Sequence, residues 1–170
     1  MIFVTVGTHE QPFNRLVKYI DNLVENKIVN NDVFIQTGYS TYEPTFCSWS
    51  QFLPYSEMNE KVKEADIVIT HGGPSSFIMP LQVGKVPIVV PRQKQFDEHV
   101  NNHQLEFANA VAKRYKNIIV VGNIDDLKDI ILNYHDIAKS MTNGITSNNA
   151  KFNDELEKIV KNIFKSKKKI

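Results

Sequence analysis

The stretch from Asp66 to Pro91 constrains the fold more than any other part of the sequence. It opens with a β-branched run at 67–69, breaks at His71-Gly72-Gly73, and then carries apolar residues at helical spacing. Gly84 ends that helical pattern, and a second apolar run follows at Val86–Val90. A strand, a glycine turn, a helix and a strand in this order are typical of a parallel α/β sheet.

The rest of the chain repeats this alternation. Further apolar runs have the length and composition of buried strands, at Ile2–Val6, Val33–Gln36 and Ile118–Val121. Helical spacing of apolar residues begins at Pro12, continues at Glu57–Ala65 behind an N-cap at Ser56, and returns at Leu105, at Asp125 or Asp126, and at Phe152–Phe164. The pattern predicts a doubly wound, Rossmann-like parallel sheet. We expect one domain at 1–164 and a basic tail at 165–170.

Composition excludes several classes of protein. The net charge of +1 gives no general attraction to nucleic acid, so no nucleic-acid partner is predicted. The apolar runs are too short for a transmembrane helix, and the opening Met1–Gly7 reads as a strand because it lacks the basic start of a signal peptide. The single cysteine, Cys47, cannot form an internal disulfide, which favours a reducing compartment. We therefore expect a cytoplasmic protein.

Polar residues cluster after three of the predicted strands, at Gly7–Glu10, His71–Ser76 and Arg92–Gln104. Ligands of doubly wound sheets bind outside the carboxyl ends of the strands, so these clusters are candidates for one site. The glycine turn with Pro74 and two serines behind it predicts a phosphate or diphosphate at a helix N-terminus. The alternatives are a plain tight turn and a His71 that only hydrogen-bonds the backbone.

Two pairs of side chains are candidates for chemistry. His9 and Glu10 are suited to act as general base and orienting group, although capping and solvated charge are the alternative. Asp97, Glu98 and His99 are expected at a helix start, where the dipole favours acidic residues, and Glu98 or His99 is a candidate to bind sugar hydroxyls.

Metal and cofactor signatures are weak in this sequence. His99 and His103 have the spacing of two zinc ligands, but no Glu follows His99 and no third ligand is evident. There is no Walker sequence and no Gly-x-Gly-x-x-Gly after the first strand, which argues against ATPase and nicotinamide chemistry. We predict neither a metal nor a cofactor.

Three motifs taken in order carry a family resemblance: Val4-Thr-Val-Gly-Thr8, Ile69-Thr-His-Gly-Gly73 and Gly84-Lys-Val-Pro-Ile-Val-Val-Pro91. The sequence resembles the C-terminal half of GT-B glycosyltransferases of the family that includes the lipid II-forming glucosaminyltransferase. It is more similar still to small one-domain catalytic subunits of two-component enzymes. The segments 7–16 and 34–39 resemble the bacterial capsule and exopolysaccharide branch, which includes β-1,4-galactosyltransferase subunits. The resemblance covers Met1 to about Phe164.

The resemblance implies a nucleotide-sugar site. It places Gly7 and Thr8 at the diphosphate, Phe52 and Leu53 at the uracil, and Glu98 and His99 at the sugar. The diphosphate cradle itself would consist of His71, Gly72, Gly73, Ser75 and Ser76. Met79 stands where the family often carries a carboxylate for the ribose hydroxyls, so no ribose ligand is assigned.

The resemblance also implies a function and partners. The chain would be the donor-binding, catalytic subunit of an inverting enzyme that moves a sugar, with galactose expected, from a UDP-sugar to a lipid-linked oligosaccharide. A membrane-anchored partner would bind the acceptor and hold this chain at the inner face of the membrane. The base would be His9 or Glu10, or would come from the partner. The alternatives are a non-catalytic nucleotide-sugar-binding or scaffolding subunit and, less compatible with the chain length, a UDP-sugar epimerase.

Overall fold

The computed structural model describes residues 1–143, and within them six parallel strands form one sheet. The strands are β1 (Ile2–Thr5), β2 (Val33–Gln36), β3 (Ser48–Ser50), β4 (Ile67–His71), β5 (Ile88–Val90) and β6 (Ile119–Val120). Their order in the sheet is β3-β2-β1-β4-β5-β6. Successive strands are added to one side of β1 as far as β3 and to its other side from β4 onward, so the strand order reverses between β1 and β4, as in dinucleotide-binding folds. The predicted doubly wound, Rossmann-like sheet is confirmed.

Helices cover both faces of the sheet. They are α1 (Asn14–Glu25), α2 (Tyr55–Glu64), α3 (Pro74–Gln82), α4 (His103–Tyr115), α5 (Leu127–Leu132) and α6 (Tyr134–Asn143). Alternate residues of β1 point to opposite faces: Val4 packs in one core with Leu16 of α1 and Leu127 of α5, whereas Phe3 packs with Val62 of α2. Helices α3 and α4 share a third cluster with β5.

The segment that follows β4 contains a helix and a strand in the predicted order, but the strand begins later than predicted. Helix α3 begins at Pro74, as predicted, with proline at its first position. The predicted strand Val86–Val90 is shorter, because β5 begins at Ile88. Pro87 has no N–H to donate to a neighbouring strand, although its carbonyl accepts from the N–H of Ile119 at 3.0 Å.

Two helix starts differ from the prediction. Helix α1 begins at Asn14 rather than Pro12, and the N–H of Phe13 bonds to the Ser40 hydroxyl at 3.2 Å. The predicted N-cap at Ser56 is wrong: α2 begins at Tyr55, with Pro54 as the capping residue and no side-chain cap.

The acidic segment Asp97–His99 does not begin a helix, so that expectation is wrong. It lies in the turns between the 3-10 turn Lys94–Phe96 and α4, which begins at His103. Asp97 has a φ of +56°, a left-handed conformation that ends the 3-10 turn.

The pattern predicted to start at Asp125 or Asp126 forms a 3-10 turn and two short helices. The amide side chain of Asn133 donates to the carbonyl of Asp129 at 2.8 Å and lies at the break between α5 and α6. The predicted helix Phe152–Phe164, the domain boundary at 164 and the basic tail 165–170 lie outside the described residues.

Candidate functional site

A cavity of about 650 Å³ opens at the carboxyl edge of the sheet, beside the switch point between β1 and β4. It brings together most of the residues predicted for the diphosphate and the base, and one of the two predicted for the uracil, Leu53; the others are Gly7, Thr8, His9, His71, Ser75 and Ser76. The other predicted residues do not line it: Glu10, Phe52, Gly72, Gly73, Glu98 and His99. The predicted convergence of strand-end clusters is therefore seen for the loops after β1 and β4, and Gln104, the last residue of the predicted cluster 92–104, also lines the cavity.

His71 is the last residue of β4 and lines the cavity, with a relative exposure of 8%. Its Nδ1 accepts a hydrogen bond from the N–H of Gly73 at 3.1 Å, and its Nε2 lies 2.8 Å from the hydroxyl oxygen of Ser76. Burial, followed by the positive charge of Arg92, lowers the pKa of His71 to about 4. The imidazole is therefore neutral at physiological pH.

The hydrogen bonds of His71 fix which nitrogen carries the proton. Because Nδ1 accepts from Gly73, the proton of the neutral ring resides on Nε2 and is donated to the Ser76 oxygen. The Ser76 hydroxyl then keeps its own proton for a ligand in the cavity. His71 thus bonds the backbone, which is one of the alternatives that the sequence left open, and its Nε2 proton is directed at Ser76 rather than at a ligand.

Two glycines enclose the imidazole. A Cβ on Gly7 would lie 2.3 Å from Nε2 of His71, and a Cβ on Gly73 would lie 2.3 Å from Cε1. Both distances are shorter than any van der Waals contact, so neither position accepts a side chain unless His71 moves. Gly7 also has a φ of +74°, which favours glycine independently.

The cradle predicted from Gly72 and Gly73 is only partly available to a ligand. The Gly72 N–H donates to Oε1 of Gln104 at 3.0 Å, and the Gly73 N–H donates to His71. What faces the cavity from this turn is the start of α3, with the side chains of Ser75 and Ser76. The positive end of the helix dipole lies at the same place.

Another part of the cavity wall is apolar. Its side chains pack on the cluster around Phe3: Leu53, Met58, Val62 and Met79. Tyr55, which is 73% exposed, stands at the rim. Phe52 does not reach this wall and instead contacts the ring of Tyr39 edge-on, with 5.3 Å between the centroids.

His9 lines the cavity, whereas Glu10 is exposed outside it. The His9 ring stacks on His99, with centroids 4.7 Å apart, and its Nε2 lies 2.9 Å from Oε1 of Gln11. The Gln11 amide nitrogen donates to the Asp97 carbonyl at 3.3 Å, so its oxygen faces His9 and accepts from Nε2–H. In the neutral ring, Nδ1 of His9 then holds the free lone pair.

His99 lies on an adjoining cavity of about 400 Å³, which it shares with Gly72 and Gln104 among others. Burial lowers the pKa of His99, and the positive charge of a protonated His9 lowers it further. The stack therefore places the two predicted sites for base and sugar side by side, in neighbouring cavities.

Glu98 is buried at 3% exposure, with its carboxylate turned away from the cavity. Both of its oxygens accept from Arg15, each at 2.8 Å, and one also accepts from the N–H of Gln93 at 3.1 Å. In this structure the carboxylate thus joins the segment after β5 to α1 and has no free oxygen directed at the cavity.

Arg92 is fully buried and connects the loops after β1 and β5 by hydrogen bonds. Its guanidinium donates to the carbonyls of Gln11 at 2.6 Å, Val6 at 3.0 Å and Glu98 at 3.2 Å. Burial lowers the pKa of Arg92 to about 10, against the opposing effect of the Glu98 charge, so the group stays cationic. It holds the strand-end loops that carry His9 and His99.

Sequence reasoning missed Gln36, and it gave no individual role to Gln104, the last residue of the predicted cluster 92–104. Gln36 ends β2, lines the cavity, and is 1% exposed. Gln104 accepts from the N–H groups of Gly72, at 3.0 Å, and Arg92, at 3.2 Å, and so joins the ends of β4 and β5. A signal for Gln36 was present, because a polar residue closing the apolar run Val33–Ile35 needs a buried partner.

Within residues 1–143, no three His, Cys, Asp or Glu side chains lie together in an arrangement that would hold a metal ion. No helix in this part of the chain combines the length and apolar character that crossing a bilayer requires.

Comparison with known proteins identifies the family. The model of the glycosyltransferase family 28 C-terminal domain matches residues 1–159. The human UDP-N-acetylglucosamine transferase subunit ALG13 is 33% identical over 121 residues, which cover 66% of this chain and 10% of the human protein. The ALG13 subunit of Yarrowia lipolytica is 33% identical over 67 residues, covering 39% of this chain and 32% of that protein. This chain thus matches about a tenth of the human relative and about a third of the fungal one.

The fold matches that of a solved glycosyltransferase. The structure of the glycotransferase of kitacinnamycin superimposes with a TM-score of 0.55 at 16% identity, over 84% of this chain and 37% of that one. At this identity the likeness concerns the fold alone. With the family model extending over most of the chain, the predicted resemblance is confirmed: the chain belongs to the glycosyltransferase family 28 C-terminal domain family.

Proposed function

We propose that this chain is the donor-binding, catalytic subunit of a two-component inverting glycosyltransferase that uses a UDP-sugar. The observation that carries the proposal is the cavity between the loop after β1 and the start of α3. Its volume of about 650 Å³ lies within the range of small-molecule sites, about 300–1,000 Å³. It offers hydroxyl donors at one wall and an apolar surface at the other, as a nucleoside diphosphate requires.

The two walls suggest how the donor lies. The diphosphate is proposed to face Gly7, Thr8 and the serines of α3, where the helix dipole and the oriented Ser76 hydroxyl favour negative charge. The uracil is proposed to lie on the apolar wall at Leu53, with Phe52 at its outer edge. Met79 on that wall offers no hydrogen bond to a ribose hydroxyl.

His9 is the better placed of the two candidate bases. Its Nδ1 holds a free lone pair in the neutral ring, and the side chain lines the cavity, whereas Glu10 is exposed outside it. In the proposed step the acceptor hydroxyl oxygen bonds to the anomeric carbon while the bond from that carbon to the diphosphate oxygen breaks. UDP leaves with the electron pair, and the hydroxyl proton passes to Nδ1 of His9. The donors at α3 stabilise the charge of the leaving diphosphate.

Two observations favour different sugars in the proposed donor. The resemblance of the opening segment to the capsule and exopolysaccharide branch favours galactose, whereas the curated relatives are named as UDP-N-acetylglucosamine transferase subunits. Both sugars are hexoses linked to UDP, so the proposed site for the nucleotide is the same. Competition of UDP-galactose and UDP-N-acetylglucosamine for the same site, compared with UDP, decides between them.

A second protein is proposed to supply the acceptor half of the enzyme. The relatives' names describe subunits, and this chain matches the C-terminal domain of its family. We propose a membrane-anchored partner that binds a lipid-linked oligosaccharide in capsule or exopolysaccharide synthesis. The chain would then act in the cytoplasm at the inner face of the membrane.

The test has a binding arm and a transfer arm. In the binding arm, UDP is titrated into the wild-type chain and into Ser76→Ala, which removes the donor oriented by His71. We expect affinity for UDP to fall about tenfold in the variant, the effect of one hydrogen bond to a charged group. Ser140→Ala, an exposed serine of α6, is the matched control. Wild-type protein that fails to bind UDP at millimolar concentration would refute the proposal.

The transfer arm separates the catalytic subunit from the alternative, a non-catalytic nucleotide-sugar-binding or scaffolding subunit. Met79, where a ribose-binding carboxylate is common in the family, is the observation that favours the alternative. Transfer to a lipid-linked acceptor is measured with the partner present, for wild type, His9→Ala and Glu10→Ala. Loss of turnover in His9→Ala with UDP affinity retained supports a base in this chain. Equal turnover in all three proteins assigns the base to the partner.

A further inference from the structure

The side chain of Gln36 is fully hydrogen-bonded inside the protein. Its Oε1 accepts from the Thr5 hydroxyl at 2.6 Å and from the Gly7 N–H at 3.2 Å. Its Nε2 donates to the Gly7 carbonyl at 3.1 Å and to the Gln51 carbonyl at 2.9 Å. A carboxamide has two donors and an oxygen that accepts twice, so every position of this amide is occupied.

These bonds hold one residue, Gly7, from both sides. Its N–H and its carbonyl both bond to the same amide, which fixes the peptide groups before and after its Cα. A glycine at φ +74° has wide conformational freedom of its own, so its geometry depends on such external contacts. Gly7 is also the residue that packs against the ring of His71.

The same amide also bonds to the segment that leads to the apolar part of the cavity wall. The Gln51 carbonyl, which accepts from Gln36 and also from the N–H of Gly38 at 2.8 Å, lies two residues before Leu53 on the apolar wall. One buried side chain therefore ties the loop proposed for the diphosphate to the segment proposed for the uracil.

We propose that Gln36 is a positioning residue, which holds the Gly7–Thr8 loop against His71 in the conformation that receives the donor diphosphate. This inference rests on the proposed donor-binding function. Gln36 acts through Gly7 and makes no catalytic contact of its own. Without it, the loop after β1 can rotate at Gly7 and turn Thr8 away from the diphosphate.

Two variants test the proposal by different changes. Gln36→Glu keeps the shape and the acceptor oxygen but removes both donors, and Gln36→Met keeps the length but removes every hydrogen bond. The control is Tyr134→Phe, which removes one buried hydrogen bond, from the Tyr134 hydroxyl to the Val86 carbonyl at 2.8 Å, outside the cavity. It lowers the stability by the loss of a buried hydrogen bond without touching the loop.

The readout is the ratio of the affinities for UDP and for uridine, measured by NMR titration. A general loss of stability leaves this ratio unchanged, whereas a misplaced diphosphate loop lowers it. We expect the ratio to fall about tenfold in both Gln36 variants and to stay at the wild-type value in Tyr134→Phe. A ratio unchanged in Gln36→Met overturns the proposal. A fall in Gln36→Glu alone also overturns it, because repulsion between two negative charges then explains the effect.

Hydrogen exchange of the wild-type chain gives an independent test, which holds even if the variants do not fold. The proposal requires the Gly7 amide proton to exchange slowly, and more slowly still with UDP bound. Exchange of Gly7 as fast as in an unstructured peptide overturns it. If wild-type protein binds no UDP while Gly7 is protected, the donor-binding function fails, and the ordering of Gly7 stands, with its N–H shared between the Gln36 oxygen and the Thr5 hydroxyl at 3.2 Å each.

Discussion

Alanine substitutions at three glycines separate the two reasons for which this chain needs a glycine. At Gly7, φ is +74° and a Cβ would lie 2.3 Å from His71 Nε2, so backbone strain and steric overlap combine. At Gly73, φ is −71°, which any residue adopts, and only the overlap with His71 applies. At Gly84, φ is +77° and no atom lies within 4 Å of a Cβ, so only the strain applies.

The expected losses in the free energy of unfolding follow from these geometries. Gly84→Ala places an L-residue in the left-handed region, which lowers the free energy of unfolding by about 1 kcal/mol. Gly73→Ala displaces the buried imidazole and breaks its hydrogen bonds to the Gly73 N–H and to Ser76, for about 1–3 kcal/mol. Gly7→Ala combines the backbone strain and the steric overlap, and is expected to lower the free energy of unfolding by about 2–4 kcal/mol.

The assay is urea unfolding of wild type and the three variants, followed by titration with UDP. We expect the loss of stability to increase in the order Gly84→Ala, Gly73→Ala, Gly7→Ala. UDP affinity should remain at the wild-type value in Gly84→Ala and fall at least about tenfold in the other two, because both move the donor that His71 orients.

Two results would refute this reasoning. If Gly84→Ala destabilises the chain as much as Gly7→Ala, the overlap with His71 is not the source of the cost. If Gly73→Ala is as stable as wild type and binds UDP normally, the imidazole is not held in the position described.

Two further predictions concern buried charge. The pKa of His71 is about 4 in the folded chain and ordinarily 6.5, so between these values the unfolded chain binds more protons and the free energy of unfolding falls as the pH drops. In urea unfolding at a series of pH values, His71→Gln should remove this part of the pH dependence. A pH dependence equal to that of wild type contradicts the lowered pKa of His71. Glu98→Gln leaves Arg15 unpaired in a largely buried site and should destabilise by about 3 kcal/mol in the same assay, whereas Glu10→Gln, at an exposed carboxylate, should match wild type.

The sequence predicted the architecture because hydrophobic periodicity is a local property of the chain. Strand β4 and helix α3 are recognisable from adjacent residues, and the proline at the start of α3 marks its first turn. Errors occurred where distant contacts set a boundary, as at α1, where the Ser40 hydroxyl bonds to the N–H of Phe13.

The site was predictable to the same extent. The rule that ligands bind at the carboxyl ends of parallel strands predicts that Gly7, Thr8, His71 and the serines of α3 lie together, and these residues do line one cavity. The rule does not tell which polar groups at that edge remain free. Gly72 and Gly73 were predicted to bind the diphosphate, but their N–H groups donate to Gln104 and His71.

Glu98 shows most clearly what sequence reasoning alone left open. As a carboxylate in a polar segment after a strand, it had the chemistry of a sugar ligand, but Arg15, which lies far away in the sequence, takes both of its oxygens. A buried charge needs an opposite charge, and which one it finds depends on tertiary packing.

The sequence by itself determined the doubly wound sheet, the family and the edge of the sheet at which we propose that a ligand binds, because periodicity, turn residues and motifs depend on residues that are neighbours in the chain. Only the tertiary structure decided the tautomer of His71, the enclosure of its ring by two glycines, and the burial of Gln36 beneath the loop. Each of these depends on distances between atoms of separate strands, and such distances are set when the chain packs.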